Sequence, residues 1–524
     1  MVTRAALTLL TRPRAFPWIA AGVAIALYAG SLANGFAFDD VRIIEGNSAL
    51  HSLRTLPAAL LDPYWRGTGE VYRPLPLITY AIDWWLTGGA PWFMHAMNVA
   101  WHALVTLLVV RLALRGSSAR VALLAGLIFA AHPVHVEAVA NIVGRAELIC
   151  AAMLAGVALV VTHPDERKRR RWGLLALLSA LALASKEIGF IAPLIAGAGA
   201  LATTRSRREA LRALAAAALG LVPILTVRYH VLGSVTGISE HPAFVAASNV
   251  QGTALALSTY PQVLALVTLP LPPVPDYSPT LADVLAPNAG LVTIGVILVA
   301  AALVMAVRHV RSPTFLGFAV LAGVAAYAPV SNLFLRTATV IAERTLYSAS
   351  IAAAILMAVA LERMASRPRL GMLACWLLTG AWTTVNTIPA WRDSDAVVAL
   401  LRERAPRSYV THVLAAHERR HFGDTAGVRR ELATALELFD RDARLLTEAA
   451  AEALRAGDAH RARTLLTKAV VVDPEDLYAR AMLIELTLSH GDPNAAARLA
   501  GDGLESHPDQ RRWRALADSL RSAR

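Results

Sequence analysis

Two adjacent carboxylates, Asp39 and Asp40, follow the first apolar stretch of the chain. A carboxylate at the end of a membrane-spanning helix is costly to keep near lipid, so it needs a partner, water or a reaction. One such reaction is proton abstraction from a hydroxyl group, with the carboxylate as general base. We expect one of the two acids to react and its neighbour to orient it. A polar cap or turn after the helix is the simpler alternative.

Basic residues recur in segments of similar predicted depth and are candidates for holding a phosphate through charge-assisted hydrogen bonds. For any one of them, the alternative is an anchor at the membrane interface. The candidate cations are Arg73, Arg145, Lys186 and Arg344. Acidic, imidazole and phenol groups accompany them, and the further candidate donor-binding residues are His132, His135, Glu137, Glu147, Glu187, Glu343 and Tyr347.

His132, His135 and Glu137 also suggest a metal site, because histidine and carboxylate are common zinc ligands. The two histidines flank a proline at a helix start, and no further firm ligand follows. Packing or hydrogen bonding at the helix start, or contact with substrate, is the stronger reading. We therefore predict no metal site and no firm cofactor requirement, while assistance by a divalent ion stays open.

The elements that position these residues are predicted to be membrane helices, since 56% of the chain is hydrophobic and only 17% is charged. Twelve apolar segments reach or approach bilayer-spanning length. Basic clusters placed on the cytoplasmic side leave eleven spans, with the N-terminus cytoplasmic. Segment 251–272 carries Pro261 and Pro270, so we expect a re-entrant or interfacial helix there. The first apolar run is read as a retained span, with a signal peptide as the alternative.

The charge distribution divides the chain in the same way. Residues 391–524 hold 21 basic and 21 acidic side chains, so the net charge of +12 belongs to residues 1–390. A basic excess confined to a membrane domain indicates orientation rather than binding to nucleic acid. Cys150 and Cys375 lie in apolar segments and are read as packing residues.

The C-terminal part contains a repeat. Gly423-Asp424, Gly457-Asp458 and Gly491-Asp492 recur every 34 residues, the period of tetratricopeptide repeats. We predict a membrane domain over 1–390 with an outer loop at 34–91, a connector over 391–410, and an α-solenoid of about three repeats over 411–524. Such solenoids commonly present a concave face to a protein or peptide, although this one could instead cap the membrane domain.

Together these motifs resemble the transmembrane and tetratricopeptide-repeat O-mannosyltransferases, a family of the GT-C glycosyltransferase superfamily. The matching stretches lie between residues 30 and 350, and the repeats extend the similarity to the C-terminus. They are Phe38-Asp39-Asp40, Tyr72-Arg73-Pro74-Leu75, His132-Pro133-Val134-His135-Val136-Glu137-Ala138-Val139, Gly144-Arg145-Ala146-Glu147-Leu148, Ser185-Lys186-Glu187, Ser331-Asn332-Leu333-Phe334 and Ala342-Glu343-Arg344-Thr345-Leu346-Tyr347.

The resemblance implies a GT-C-like helical membrane fold, a polyprenyl-phosphate-linked hexose donor, and inverting transfer to a protein or glycan hydroxyl on the non-cytoplasmic face. It also implies an acidic base in the first outer loop, here Asp39 or Asp40. The chain departs from the animal enzymes in its shorter repeat array and in segment 233–288. Its high alanine and arginine content favours a bacterial inner-membrane protein with the repeats in the periplasm, which makes cadherin an unlikely acceptor.

Two other functions fit parts of the sequence. A non-catalytic membrane scaffold would use the repeats to assemble an envelope complex, and its outer-face acids would be dispensable. A transporter for lipid-linked sugar would place ionisable groups near the middle of the spans. Here they lie at the predicted outer ends, which disfavours a transporter.

Overall fold

The computed structural model describes residues 13–65, 71–163, 168–235, 240–506 and 511–522. Within these ranges the regular elements are helices, and no strand is present. The predicted all-α fold is therefore confirmed. Arg4, Arg12, residues 66–70 of the predicted outer loop and Arg167 of a predicted cytoplasmic cluster lie outside the described ranges.

The chain forms two compact units. The first comprises residues 1–239, 256–275 and 288–400, and the second comprises 240–255, 276–287 and 401–524, as far as each is described. The α-helices lying wholly in the first unit are Phe16–Tyr28, Leu56–Ala59, Pro74–Thr87, Pro91–Ala113, Ala119–Ala130, Val136–Ala140, Arg145–Val161, Lys168–Ser185, Ala192–Thr204, Arg207–Leu232, Ala289–Arg311, Phe315–Tyr327, Tyr347–Glu362 and Ser366–Thr387.

Short helical turns join these helices. The 3-10 turns are Pro13–Ala15, Ala29–Ala33, Ser48–Leu50, Pro133–His135, Ile142–Gly144, Glu187–Ile191, Ala328–Val330, Glu343–Leu346 and Ile388–Trp391, and a π-helical turn covers Val41–Glu45. Two further helices, Asn249–Thr268 and Ser394–Arg404, contribute residues to both units.

Seven of the described helices are long and apolar enough to cross a membrane. They are Pro13–Ala33, Pro91–Ala113, Ile142–Val161, Glu187–Thr204, Arg207–Leu232, Ala289–Arg311 and Glu343–Glu362. A pair bent by 52°, Ala119–Ala130 and Pro133–Ala140, gives an eighth if it is one span, and Arg171–Ser185 and Phe315–Val330 are shorter apolar helices. The eleven-span topology stays a prediction. So does the membrane status of 251–272, which forms part of the continuous helix Asn249–Thr268 with Pro261 inside it.

The helices of the first unit differ in how deeply they are buried. Ile142–Val161 is buried along most of its length, whereas Ala289–Arg311 is almost wholly exposed. In a membrane domain an apolar helix exposed all round is expected to face lipid. Gly144 lets the central helix, Arg145–Val161, begin close to the short helix Val136–Ala140, because a Cβ at Gly144 would lie 2.2 Å from the carbonyl oxygen of Ala138. The next residue after this close approach is Arg145.

The second unit contains the predicted repeats. Three helix pairs, followed by Arg511–Ser522, start at a spacing of 34 residues: Tyr409–His421 with Thr425–Leu438, Ala443–Arg455 with Ala459–Val472, and Leu477–Ser489 with Pro493–Ser506. The turn glycines Gly423, Gly457 and Gly491 all have left-handed φ values of 74° to 81°. Asp424 and Asp458 each cap the helix that follows, so the Gly-Asp pattern encodes the turn inside each repeat.

Two segments outside the repeats also belong to the second unit. They carry the short helices Pro242–Val245 and Leu281–Leu285. Asp276 accepts a hydrogen bond from the Ser408 hydroxyl at 2.5 Å, and Ser278 is hydrogen-bonded to His241 at 3.1 Å. The sequence did not predict this addition of 240–255 and 276–287 to the repeat unit.

Candidate active site

The two acids of the first outer loop lie in a tight turn after the first helix. Phe38 has a left-handed φ of 53°, and its amide donates to the Ser394 hydroxyl at 3.0 Å. The amide of Gly35 donates to the carbonyl of Arg392 at 2.9 Å. These bonds attach the turn to the chain segment after the last long apolar helix. They hold in place the residues that directly precede Asp39 and Asp40.

The structure gives the two carboxylates different environments. Asp40 is fully buried and accepts hydrogen bonds from the amides of Val143 at 2.8 Å and of Ile142 and Ala37 at 3.3 Å. Burial raises the pKa of Asp40 to about 7, although these backbone bonds lower it. A pKa near neutrality suits a general base, but Asp40 has no exposed surface from which to reach a substrate.

Asp39 is partly exposed and accepts no hydrogen bond from any residue that the structure describes. Burial raises the pKa of Asp39, and Glu137 raises it further, while the positive charges of Arg344, Arg73 and Lys186 lower it. The unbonded carboxylate therefore lies in the field of three cations that come from three separate parts of the chain.

The first of these cations, Arg73, is held by Glu187. Its Nε and Nη2 donate to Oε2 of Glu187 at 3.0 and 2.7 Å, in a two-pronged contact. Glu187 Oε1 also accepts from Nη1 of Arg228 at 3.3 Å, and the Arg228 side chain is buried. One carboxylate thus lies between two guanidinium groups, and these three charges sum to +1. Arg73 keeps 18% of its side chain exposed.

The other two cations each pair with one acid. Lys186 forms an ion pair with Glu147, and both side chains are buried. Arg344 forms an ion pair with Glu137, and the amide of Arg344 donates to the same carboxylate at 3.0 Å. Arg344 is the most exposed of the three cations, with 29% of its side chain accessible. Four predicted residues thus form two ion pairs at the margin of the site, and the acid of each pair is buried.

Arg145 differs from the other predicted phosphate ligands because its side chain is wholly buried. It pairs with Asp83, donates to Asn98 Oδ1 and to the carbonyl of Met94, both at 2.8 Å, and lies over the ring of Tyr80. Its hydrogen bonds are used within the protein, so this guanidinium has no surface to offer to an anion. It instead ties the outer-loop helix Pro74–Thr87 to the central helix.

The predicted histidines lie among buried aromatic rings. His135 is hydrogen-bonded to Ser350 at 2.7 Å, and the ring of His132 contacts that of Trp376. The hydroxyl of Tyr347 is hydrogen-bonded to His102 at 2.7 Å. This arrangement positions the helices internally. Among the described residues, no three His, Cys, Asp or Glu side chains are grouped so as to hold a metal ion.

Glu343 lies next to Arg344 in sequence but serves a different segment. It is buried, and its Oε1 accepts a hydrogen bond from the amide of Val274 at 2.8 Å. The turn Glu343–Leu346 thus accepts a hydrogen bond from the amide of Val274 through Glu343, and it donates two hydrogen bonds to Glu137 through Arg344. Arg228 and Asp83 were not among the predicted site residues. The available signal for Arg228 was an arginine within the long apolar stretch that follows the charged start of its helix.

The fold and this cluster define a helical protein with apolar helices of spanning length, a polar site, and a repeat solenoid. A family model described as tetratricopeptide repeat matches residues 453–520. Protein O-mannosyl-transferase Tmtc2 from Drosophila melanogaster is 34% identical over 188 residues, covering 33% of this chain and 20% of that protein. Human protein O-mannosyl-transferase TMTC3 is 32% identical over 148 residues, covering 27% and 16%.

The predicted resemblance to the transmembrane and tetratricopeptide-repeat O-mannosyltransferases is thus confirmed. The chain spans about a fifth of the length of these relatives. Among solved structures, ArnT from Cupriavidus metallidurans bound to undecaprenyl phosphate aligns with a TM-score of 0.42 and 16% identity over 92% of this chain and 79% of that chain. The oligosaccharyltransferase AglB from Archaeoglobus fulgidus, in complex with an inhibitory peptide and a dolichol-phosphate, aligns with 0.41 and 14% over 75% and 58%.

Proposed function

We propose that the chain is a membrane glycosyltransferase that moves a mannose-like hexose from a polyprenyl-phosphate carrier to a hydroxyl of a protein or glycan. The observation that carries this proposal is the environment of Asp39. This carboxylate is partly exposed, accepts no hydrogen bond within the described ranges, and lies in the field of Arg73, Lys186 and Arg344. The names of the sequence relatives, protein O-mannosyl-transferases, support the same reaction class.

In the proposed reaction, Asp39 removes the proton from the acceptor hydroxyl. The acceptor oxygen then bonds to the anomeric carbon while the bond from that carbon to the phosphate oxygen breaks, so the electron pair leaves with polyprenyl phosphate. One displacement at one face inverts the anomeric centre. Negative charge grows on the phosphate as the bond breaks, and cations near it stabilise that charge.

The exposed fractions of the cations support a division of roles among them. Arg344 and Arg73 have accessible surface and serve as phosphate ligands, whereas Lys186 is buried and contributes mainly through its charge. Glu137 and Glu187 then act as positioning residues that hold these two guanidinium groups. Asp40 positions Asp39 by fixing the turn through its three backbone hydrogen bonds.

The proposal extends to orientation. We place the N-terminus in the cytoplasm, and the site and the repeats on the non-cytoplasmic side of a bacterial inner membrane. The acceptor is a protein or glycan that reaches the site with help from the repeat unit. Labelling of cysteines introduced into the outer loop and into the repeats, with a reagent that does not cross membranes, tests this orientation.

The direct test is transfer of radiolabelled hexose from polyprenyl-phosphate donors in membranes that contain the wild-type protein or matched amounts of variants. Asp39→Asn should reduce transfer by about 10²- to 10⁴-fold, the usual contribution of a general base. Asp395→Asn removes an exposed carboxylate elsewhere in the chain and should leave transfer unchanged. Equal labelling by the wild-type and Asp39→Asn proteins would overturn the proposal.

The repeat family match favours one alternative, a scaffold that assembles an envelope complex. The two functions separate cleanly in a deletion experiment. Removal of residues 411–524 abolishes a scaffold function, whereas the Asp39→Asn substitution leaves it intact. For a glycosyltransferase, the Asp39→Asn substitution is the more damaging of the two.

A further inference from the structure

A cavity of about 210 Å³ lies in the outer loop beside the candidate active site. We call it the loop cavity, and its lining residues are Arg42, Ile43, Gly46, Asn47, Tyr64 and Trp65. It adjoins the hydrophobic core of this loop, to which Ile43 and Tyr64 belong. The space is large enough for several water molecules and is lined by both polar and apolar groups.

Two residues that line this cavity each carry a buried polar atom with no hydrogen-bond partner within the part of the chain that the structure describes. These atoms are Oδ1 of Asn47 and the hydroxyl of Tyr64. The Tyr64 hydroxyl lies near that of Tyr80, but not with the geometry of a hydrogen bond. Asn47 precedes the turn Ser48–Leu50 without capping it through its side chain. Buried polar groups are nearly always hydrogen-bonded, so these two need a ligand or ordered water.

The backbone around the cavity has an unusual form. Residues Val41–Glu45 form a π-helical turn, closed by a hydrogen bond of 2.7 Å from the amide of Gly46 to the carbonyl of Val41. Turns of this type are rare and occur frequently at functional sites, because the extra residue per turn displaces side chains from their ordinary positions. Here the turn places Arg42, Ile43 and Gly46 in the cavity wall.

The lining disfavours a cation, because a cation would meet the guanidinium of Arg42. This guanidinium lies over the Trp65 ring, 5.5 Å from its centre, so the ligand shares the indole with Arg42. A neutral ligand that carries hydroxyl groups on one edge and an apolar face on the other fits this lining. Its hydroxyl groups would bond Asn47 and Tyr64, and its apolar face would lie against Trp65.

The loop cavity is also next to the proposed reaction centre. The guanidinium of Arg73 lies 5.3 Å from the centre of the Tyr64 ring, and Asp39 is three residues before Arg42. The charges of Arg73 and Asp39 both act on Tyr64. A single aromatic ring therefore separates the loop cavity from a proposed phosphate ligand.

We infer that the loop cavity binds one pyranose ring. This inference rests on the proposed glycosyl transfer for its biological meaning, since the ring is either the hexose of the donor or a sugar of the acceptor. The contacts that recognise it are the amide oxygen of Asn47, the hydroxyl of Tyr64 and the indole face of Trp65. The chemistry is the same for both sources, so the experiment has to separate them.

Binding is tested first without any transfer reaction. Ligand-observed saturation-transfer NMR on the purified full-length protein, with methyl α-mannopyranoside as probe, should show contact of the sugar with the protein. Asn47→Leu should weaken this binding about threefold to tenfold, the range expected for one neutral hydrogen bond. Trp65→Leu should weaken it similarly. Trp85→Leu, which removes an exposed indole outside the loop cavity, should leave it unchanged.

A folding defect is distinguished by thermal stability. Because Oδ1 of Asn47 has no partner among the described residues, Asn47→Leu should keep or raise the melting temperature while it weakens sugar binding. A purely structural asparagine would instead lose stability on this change. The inference is overturned if the wild-type protein does not bind the glycoside, or if Asn47→Leu binds it as well as the wild type does.

Transfer kinetics distinguish whether the bound pyranose ring belongs to the donor or to the acceptor. Asn47→Leu raises the KM for the lipid-linked donor if the donor hexose occupies the cavity, and the KM for a glycan acceptor if the acceptor does. An unchanged KM for both substrates, in a protein that transfers sugar, also overturns the inference. Absence of transfer by the wild-type protein would instead count against the proposed function, while the NMR result would stand by itself.

Discussion

The carboxylate of Asp40 accepts a hydrogen bond of 2.8 Å from the amide of Val143, a residue 103 positions further along the chain. This bond connects the first outer loop to the start of the central helix. It also distinguishes two acids that are equivalent in the sequence. Asp40 is bound by the protein, whereas the oxygens of Asp39 accept no hydrogen bond from the residues that the structure describes.

The buried Asp40 predicts a pH-dependent contribution to stability. Its pKa is about 7 in the folded protein, against 3.8 for an ordinary aspartate, so folding favours the protonated form. The resulting stabilisation is complete below about pH 4 and is lost as the pH rises through 7. The change is on the order of 4 kcal/mol, because one pKa unit corresponds to about 1.4 kcal/mol. Melting temperatures of the wild-type and Asp40→Asn proteins, compared from pH 4 to pH 8, measure it.

In this comparison the wild-type protein should lose stability relative to Asp40→Asn as the pH rises. The substitution imitates the protonated acid and does not titrate. Parallel stability curves for the two proteins would show that Asp40 titrates normally. Asp395→Asn, at an exposed position, is the matched control.

The pH dependence of transfer reports on Asp39 in the opposite sense, because a base acts only when deprotonated. Burial raises the pKa of Asp39, so transfer should fall on the acid side at a pH above the ordinary value of 3.8. The charge of Arg344 lowers this pKa. Arg344→Met should therefore move the acid side of the profile to higher pH, and Arg344→Lys should largely preserve it. An acid side that does not move on loss of this charge would contradict the role given to Asp39.

The carboxylate shared by Arg73 and Arg228 predicts an unusual double-mutant result. Arg228→Met leaves Arg73 and Glu187 as a neutral pair, so donor KM should rise about tenfold, in line with the loss of one charged contact. Glu187→Gln in addition restores a net charge of +1 and should recover most of the donor affinity. Each protein is assayed for donor KM and for melting temperature.

Stability provides the control for this cycle. Glu187→Gln alone leaves the two guanidinium groups without their shared acid and should be the least stable variant, by about 3–5 kcal/mol. Arg228→Lys keeps the charge and should resemble the wild type. A double variant with weaker donor affinity than either single variant would mean that packing, rather than charge, matters at this cluster.

The repeat turns predict a cost that depends on backbone angle alone. Gly457 has a φ of 81°, and an added Cβ would meet nothing within 4 Å. Gly457→Ala should therefore cost about 1–2 kcal/mol through the left-handed conformation, without any clash. Gly371 also has open space around it but lies in a helix, so Gly371→Ala should be neutral or slightly stabilising. Limited proteolysis near residue 457 and thermal unfolding of the full chain distinguish the two variants.

Much of this architecture could be predicted because it depends on local sequence patterns. The 34-residue spacing of Gly423, Gly457 and Gly491 predicted the repeats, since a left-handed turn needs glycine at a fixed place in each one. Apolar length predicted most helices of the membrane domain. The sequence did not predict that segments 240–255 and 276–287 belong to the repeat unit. Their place there depends on contacts such as that of Asp276 with Ser408, and no sequence periodicity predicts such contacts.

The candidate site was predictable by residue type but not by role. The sequence indicated acids and cations at similar depth, and Arg73, Lys186 and Arg344 do act on Asp39. It could not show that Arg145 is enclosed by Asp83, Asn98 and Met94, because these partners lie on two other helices that become neighbours of Arg145 only on folding. For the same reason it could not divide the tasks of Asp39 and Asp40.

The shared acid Glu187 also limits how this protein can change over generations. Loss of the charge at Arg73 or Arg228 leaves a neutral pair, and loss of the charge at Glu187 leaves two adjacent like charges, so any single replacement that removes a charge alters both charge balance and packing. An alternative arrangement is reached only when two of the three positions change nearly together. Positions 73, 187 and 228, which lie far apart in the chain, should therefore be inherited as one unit in descendants that retain the activity.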